Sequence, residues 1–278
     1  MERASGASPP DIGKTREYAQ NPRLNIPPGE EFNVTYGTLF ARSALVAFAM
    51  TVGANTSFAD GKIALVVGNA NYKKIDKLES ATKRSDAVAG ALAKIGFEVI
   101  ARKDADKANM DRALSEFARK SAGSRAALFY FAGHAVSYRD HDYFLPTGIE
   151  VEDFNDIEFS AIDVGRAIDA MSRSDGIKIV VYSSPGYVPL QKRPPNCDPG
   201  RRVENLAFVC GLDHELAAKG GAGPDDSFTS SFVGQLSGSG LDVEALFGRV
   251  ARDVVAKGGR PPDVSMELSR RFNLDKPD

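Results

Sequence analysis

Four short, largely apolar runs constrain the fold of this chain more than any other feature. They cover residues 63–67, 126–131, 177–182 and 205–210, and glycine or serine follows each within two residues. Apolar runs of this length without alternation are typical of strands buried on both faces of a parallel sheet. Helix-like segments separate the runs. This strand–helix order predicts an α/β fold with a mostly parallel sheet and helices on both faces.

Helix boundaries are also marked in the sequence. Val88 and Leu92 lie on one face of a segment that ends at Gly96, a residue type that stops helices at the C′ position. Ser85 is the predicted N-cap of this helix, because a serine hydroxyl accepts a hydrogen bond from a free amide of the first turn. A second amphipathic helix is predicted to begin near Asp106.

The N-terminal part of the chain resembles an export signal. Arg42-Ser43 precedes an apolar run at residues 44–54, and Ser57-Phe58-Ala59 follows it. A basic residue, a short apolar run and a small-x-Ala sequence together describe a secretory signal peptide, here 44–59. A buried core helix is the alternative interpretation. The run is too short for a comfortable membrane span, so the mature chain is expected to have none.

The signal peptide divides the chain into predicted segments. Residues 1–43 are polar and rich in proline, and we interpret them as a disordered or non-native extension that reflects an over-extended start site. The domain itself is predicted at 60–265, and residues 266–278 form a C-terminal tail. A signal peptide predicts a periplasmic or secreted protein, in a compartment that permits a Cys197–Cys210 disulfide.

Composition excludes several classes of function. The formal net charge is −2 and no basic patch stands out, so nucleic acid is not an expected partner. Two cysteines and three histidines are too few for a zinc cluster, and no motif predicts a metal or cofactor. The run Asp140-His141-Asp142 is acidic enough to attract a cation, but charged hairpin tips are usually solvated.

Chemistry-bearing residues follow two of the predicted strands. His134 comes after the second run, and Ser183-Ser184-Pro185 follows the third. Ligands of parallel sheets bind beyond the carboxyl ends of the strands, where these residues would meet. His134 is either a general base beside a nucleophile or a loop histidine bonded to backbone. Serine catalysis is disfavoured, because the Gly-x-Ser-x-Gly elbow is absent and Pro185 removes a backbone N–H.

Several segments, in order, resemble bacterial caspase-like peptidases, the metacaspase-related members of clan CD. They are 63–72, 85–99, 129–135, 142–146, 228–232 and 243–254. The resemblance covers roughly residues 60–260 and implies a caspase–haemoglobinase fold. It also implies that His134 is the histidine of a Cys-His dyad, with Ala135 where the family has glycine.

The same resemblance implies that three site positions have changed. Aligning the family pattern on Pro189-Leu190 places Pro185 at the cysteine nucleophile and Ser183 at an aspartate of the specificity pocket. A second pocket acid falls on Gly148. The nucleophile and both carboxylates that would hold a basic substrate side chain are therefore missing.

Two functions follow from this pattern. The first is a catalytically inactive caspase-like domain that binds a peptide or protein partner. The second is an active cysteine endopeptidase in which a relocated thiol, Cys210, works with His134. The alternative interpretation of Cys210 is a small buried hydrophobic residue.

Export is directly testable. We expect the mature protein to begin at Asp60, because signal peptidase cleaves after a small-x-Ala sequence. N-terminal sequencing of the exported protein checks this. A cytoplasmic chain that still contains residues 44–59 would contradict the prediction.

Overall fold

The computed structural model of the chain describes residues 61–150, 153–185, 195–212, 227–238, 240 and 242–274. The predicted signal peptide and N-terminal extension lie outside the described residues, as do Pro189-Leu190. Within the described ranges, every helix is too short or too polar to cross a bilayer.

The strands form two sheets. They are β1 (Lys62–Gly68), β2 (Phe97–Lys103), β3 (Ala126–Ala132), β4 (Ala135–Tyr138), β5 (His141–Phe144), β6 (Ile162–Asp163), β7 (Ile177–Ser184), β8 (Leu206–Leu212) and β9 (Asp263–Glu267). In the described part of the chain, six strands form a sheet in the order β2-β1-β3-β7-β8-β9, and only β9 is antiparallel. A small antiparallel sheet, β4-β5-β6, lies beside it.

Helices cover both faces of the large sheet. They are α1 (Ala81–Lys94), α2 (Lys107–Lys120), α3 (Asn155–Ser160), α4 (Val164–Ala170), α5 (Ser227–Leu236) and α6 (Val243–Ala256). Alternate side chains of each strand face opposite layers. Leu128 and Tyr130 pack in the layer of α1, α5 and α6, whereas Phe129 and Phe131 pack in the layer of α2 and α4. The predicted mostly parallel, doubly covered sheet is confirmed.

One predicted helix start is wrong and another matches. Helix α1 begins after Ser80, one turn before the predicted N-cap. Ser85 instead lies inside the helix, where its hydroxyl donates to the carbonyl of Thr82 at 2.8 Å. It packs against Gly68, where an added Cβ would lie 2.1 Å from the Ser85 Oγ. Asp106 caps α2 and accepts from the Asn109 amide at 2.8 Å.

The C-terminal residues continue the domain beyond position 265. Phe272 and Leu274 are buried in the layer of α1, α5 and α6. The Lys62 ammonium donates to the Leu274 carbonyl at 2.6 Å, and the Val243 amide donates to the Phe272 carbonyl at 2.9 Å. The segment predicted as a tail from residue 266 is therefore packed on the domain as far as residue 274.

The side chain of Asn69 joins three segments at the carboxyl edge of the sheet. Asn69 follows β1 and is fully buried. Its Oδ1 accepts from the Ala105 amide at 2.9 Å, and its Nδ2 donates to the carbonyls of Leu145 at 3.1 Å and Ala105 at 3.3 Å. Since buried polar groups must be paired, this amide fixes the loops after β1, β2 and β5 against one another.

We expect Asn69→Ala to lower the free energy of unfolding by about 3 kcal/mol, because it leaves buried amide and carbonyl groups without a partner. Urea denaturation measures this. The matched control is Asn71→Ala, because Asn71 is exposed and its side-chain amide donates to Asp104. An equal loss of stability in both variants would contradict the assignment.

Candidate functional site

The candidate site lies where the neighbouring strands β3 and β7 end. Ala132 is paired with Ser183 in the parallel register. Beyond that pair, the Gly133 amide donates to the Ser183 carbonyl at 3.2 Å, and the Ala135 amide donates to the Ser184 hydroxyl at 3.1 Å. His134 and Pro185 are each two residues beyond the Ala132–Ser183 pair. The structure therefore brings His134, Ser183 and Pro185 to the same edge of the sheet.

The ring of His134 is held by the loop between β1 and α1. Its Nε2 lies 2.8 Å from the carbonyl oxygen of Asp76, and the residue is only 2% exposed. A carbonyl oxygen can only accept a hydrogen bond, so Nε2 carries a proton, and in the neutral form of the ring Nδ1 carries the lone pair. This is the tautomer in which a histidine can accept a proton through Nδ1.

Tyr72 supports His134 from the same loop. The Tyr72 hydroxyl accepts from the His134 amide at 2.9 Å and donates to the Leu145 carbonyl at 3.1 Å. The two rings meet edge to face with centroids 4.7 Å apart. Burial raises the pKa of Tyr72, so the phenol stays protonated and keeps its donor. An added Cβ at Gly133 would lie 2.6 Å from the Tyr72 hydroxyl, so glycine is required there.

Ser183 faces a buried arginine that the sequence reasoning missed. Arg84 Nη1 donates to the Ser183 Oγ at 3.3 Å, and the two residues are 7% and 0% exposed. The position at which the resemblance expects a pocket carboxylate therefore holds a hydroxyl beside a cation. The signal was available: Arg84 lies one helical turn before Val88 on the apolar face of α1, where a charge is unusual.

Gly148 lies elsewhere on this edge. It is exposed, and an added Cβ would be 3.8 Å from the Asp106 Cβ at the start of α2. It borders a shallow depression of about 420 Å³ that Lys107 and Phe159 also line, and that His134 and Ser183 do not. A side chain at position 148 has room, but its nearest neighbour is Asp106.

The two cysteines form a disulfide. Cys210 is fully buried in β8, on the face covered by α2 and α4. The His134 ring packs against Tyr72, which belongs to the opposite layer. The structure therefore does not bring the Cys210 sulfur and the His134 ring to the same face of the sheet.

The charged hairpin at residues 140–142 is not uniformly solvated. Asp142 is 2% exposed, because its carboxylate faces the protein interior. His141 Nδ1 lies 3.3 Å from the carboxylate of Asp163 on β6. Among the described residues, no group of histidine, cysteine, aspartate and glutamate side chains is arranged to hold a metal ion.

Comparison with known protein families identifies the domain. The sequence profile of the caspase domain matches residues 61–272, which include every described strand and helix. The chain belongs to the caspase domain family. No curated protein matches the chain. The resemblance to caspase-like peptidases is thus confirmed at the level of the family.

The loop that holds the His134 ring in this caspase domain is itself anchored by Asp104. The Asp104 carboxylate accepts from the amides of Ala70 and Asn71, each at 2.8 Å, and from the Asn71 side chain at 2.6 Å. Partial burial raises the pKa of Asp104, but these hydrogen bonds and the nearby Lys103 together outweigh it, so the net pKa is lowered. Because the folded pKa lies below the unfolded one, Asp104 stabilises the fold above the unfolded pKa, and this contribution is lost as pH falls through the folded pKa.

We expect Asp104→Asn to lower the free energy of unfolding by about 1–2 kcal/mol at pH 7, and to have little effect at an acidic pH below the lowered pKa, where the wild-type carboxyl is also neutral. Asparagine tolerates the positive φ of 47° at this position, so the variant isolates the charge. Urea denaturation at both pH values measures the difference. The control is Asp86→Asn, an exposed carboxylate paired only with Lys103 among the described ion pairs. A constant difference across pH would contradict the prediction.

Proposed function

We propose that this caspase domain does not cleave peptides and acts by binding a peptide or protein partner at the carboxyl edge of its sheet. The observation that carries the proposal is Pro185, which stands directly after β7 at the level of His134. Proline offers no nucleophilic atom and no backbone N–H for an oxyanion hole. The position that the resemblance assigns to the cysteine of a Cys-His dyad therefore cannot supply its nucleophile.

The disulfide supports the proposal against the relocated-thiol alternative. The chain has two cysteines, and both are used in this bond. A disulfide sulfur is not a thiolate and cannot act as the nucleophile. Even if reduced, Cys210 faces the layer of α2 and α4, whereas the His134 ring lies with Tyr72 in the other layer.

The absence of a carboxylate at position 183 also argues against a substrate with a basic side chain. A pocket that accepts an arginine or lysine side chain needs carboxylates, and Ser183 instead receives a hydrogen bond from Arg84. We therefore infer that any retained ligand does not place a basic side chain beside Ser183.

We further propose that the domain functions in the periplasm or outside the cell. The signal-like sequence at 44–59 supports export, and the Cys197–Cys210 disulfide fits an oxidising compartment. Sequencing the N-terminus of the exported protein, described above, tests this part of the proposal.

We expect the wild-type chain to show no thiol-sensitive cleavage of fluorogenic peptides after arginine or lysine. Pro185→Cys alone should restore little turnover, since the pocket still lacks negative charge. The triple variant with Ser183→Asp and Gly148→Asp should exceed it. Wild-type turnover that Cys210→Ala abolishes while the fold is preserved would overturn the proposal in favour of the relocated thiol.

Binding can be tested separately from cleavage. Peptides selected by display on the folded wild-type chain should lose affinity when Gly148→Cys is labelled with a bulky maleimide, because position 148 is exposed on the proposed edge and the label covers it. The matched control carries the same label at Ser115→Cys, on the exposed face of α2. Equal binding by both labelled proteins would place the peptide elsewhere and contradict the proposed surface.

A further inference from the structure

Asp142 is a buried carboxylate that holds the segment following the β7 loop. Its Oδ2 accepts from the Tyr182 hydroxyl at 2.8 Å and from the Cys197 amide at 2.9 Å. Its Oδ1 accepts from the Asn196 amide at 3.0 Å and from the Ser137 hydroxyl. Two successive amides that converge on one carboxylate form a backbone anion site, and here the anion is supplied by the protein itself.

The same segment is attached to the sheet by the disulfide. Cys197 is half-buried, and its partner Cys210 is fully buried in β8, between β7 and β9. Cys197 has a φ of 57°, in the left-handed region that side chains with a Cβ rarely adopt. The hydrogen bond from its amide to Asp142 favours this conformation. The carboxylate therefore holds the Cys197 backbone in the geometry that the disulfide requires.

We propose that Asp142 is the positioning residue that makes the Cys197–Cys210 disulfide resistant to reduction. Any contact that keeps two cysteines together in the folded chain raises their effective concentration and stabilises the bond between them. The coupling is reciprocal, so the disulfide also stabilises the contacts of Asp142 with the 195–200 segment. This inference does not depend on the proposed binding function.

The reaction is a thiol–disulfide exchange with a dithiol reductant. One thiolate of the dithiol attacks the Cys197 sulfur, which is the more exposed of the two, and Cys210 leaves as a thiolate and takes up a proton. The second thiol of the reductant then attacks the mixed disulfide and releases Cys197. Two electrons and two protons pass from the dithiol to the protein, and the dithiol ends as a disulfide.

The disulfide and the Asp142 carboxylate both attach the 195–200 segment to the domain. Reduction breaks the disulfide and leaves the carboxylate contacts in place. We expect the amides of Asn196 and Cys197 to exchange with solvent faster in the reduced protein. Their exchange should be faster still when Asp142 is also replaced, because both attachments of the segment are then lost.

The test is a titration of the full chain with mixtures of reduced and oxidised dithiothreitol, in which the reduced fraction is read by maleimide mass-tagging. We expect Asp142→Asn to be half-reduced at a reduced-to-oxidised ratio about tenfold below that of the wild type, because a neutral amide accepts these hydrogen bonds more weakly. The matched control is Asp140→Asn, an exposed residue of the same hairpin whose φ of 65° asparagine tolerates. It should titrate like the wild type.

Tyr182→Phe keeps the test decisive if Asp142→Asn does not fold. It retains the buried ring and removes the hydroxyl that donates to Asp142 and lies 3.6 Å from the Cys197 sulfur. We expect a smaller shift in the same direction. The proposal is overturned if Asp142→Asn titrates like the wild type, or if Asp140→Asn shifts by the same amount. If Asp142→Asn does not fold, a Tyr182→Phe variant that titrates like the wild type overturns it.

Discussion

The carboxyl edge of the sheet depends on the buried side-chain amide of Asn69. Parallel strands end together, so the loops that follow them must be fixed to one another before any side chain can be positioned. Asn69 does this for three loops at once, through the backbone of Ala105 and Leu145. The Leu145 carbonyl in turn accepts from Tyr72, which supports His134. His134 thus lies at the end of a chain of hydrogen bonds that starts at Asn69, the residue directly after β1.

Much of the fold follows from local sequence. Strands β1, β3, β7 and β8 are apolar on both faces, so their runs indicate a parallel sheet directly. Helix starts depend on finer contacts. In the sequence, Ser85 resembles an N-cap. The structure shows that it lies about one turn inside α1, where it packs against Gly68. Strand β9 is short and mostly exposed, so its place at the sheet edge is decided by pairing with β8 and not by its own composition.

The candidate site was only partly predictable, because some of its residues are positioned by contacts between distant parts of the chain. His134, Ser183 and Pro185 follow strands and are placed by the order of those strands. Arg84 and Asp142 lie on other elements, and their burial results from contacts between residues far apart in sequence. Asp142 belongs to a charged hairpin that composition alone assigns to solvent. Its partners, the amides of Asn196 and Cys197, become visible only when the returning loop is folded onto the hairpin.

The hydrogen bond from His134 to the Asp76 carbonyl connects two loops, so the histidine has a structural role. Together with the edge contact to Tyr72, it joins the end of β3 to the β1–α1 connection. Removing the ring would take away the donor to the Asp76 carbonyl and leave a cavity beside the Tyr72 ring. A histidine at this position therefore stabilises the fold. In a domain of this family, its presence in a sequence says nothing by itself about whether peptide bonds are broken.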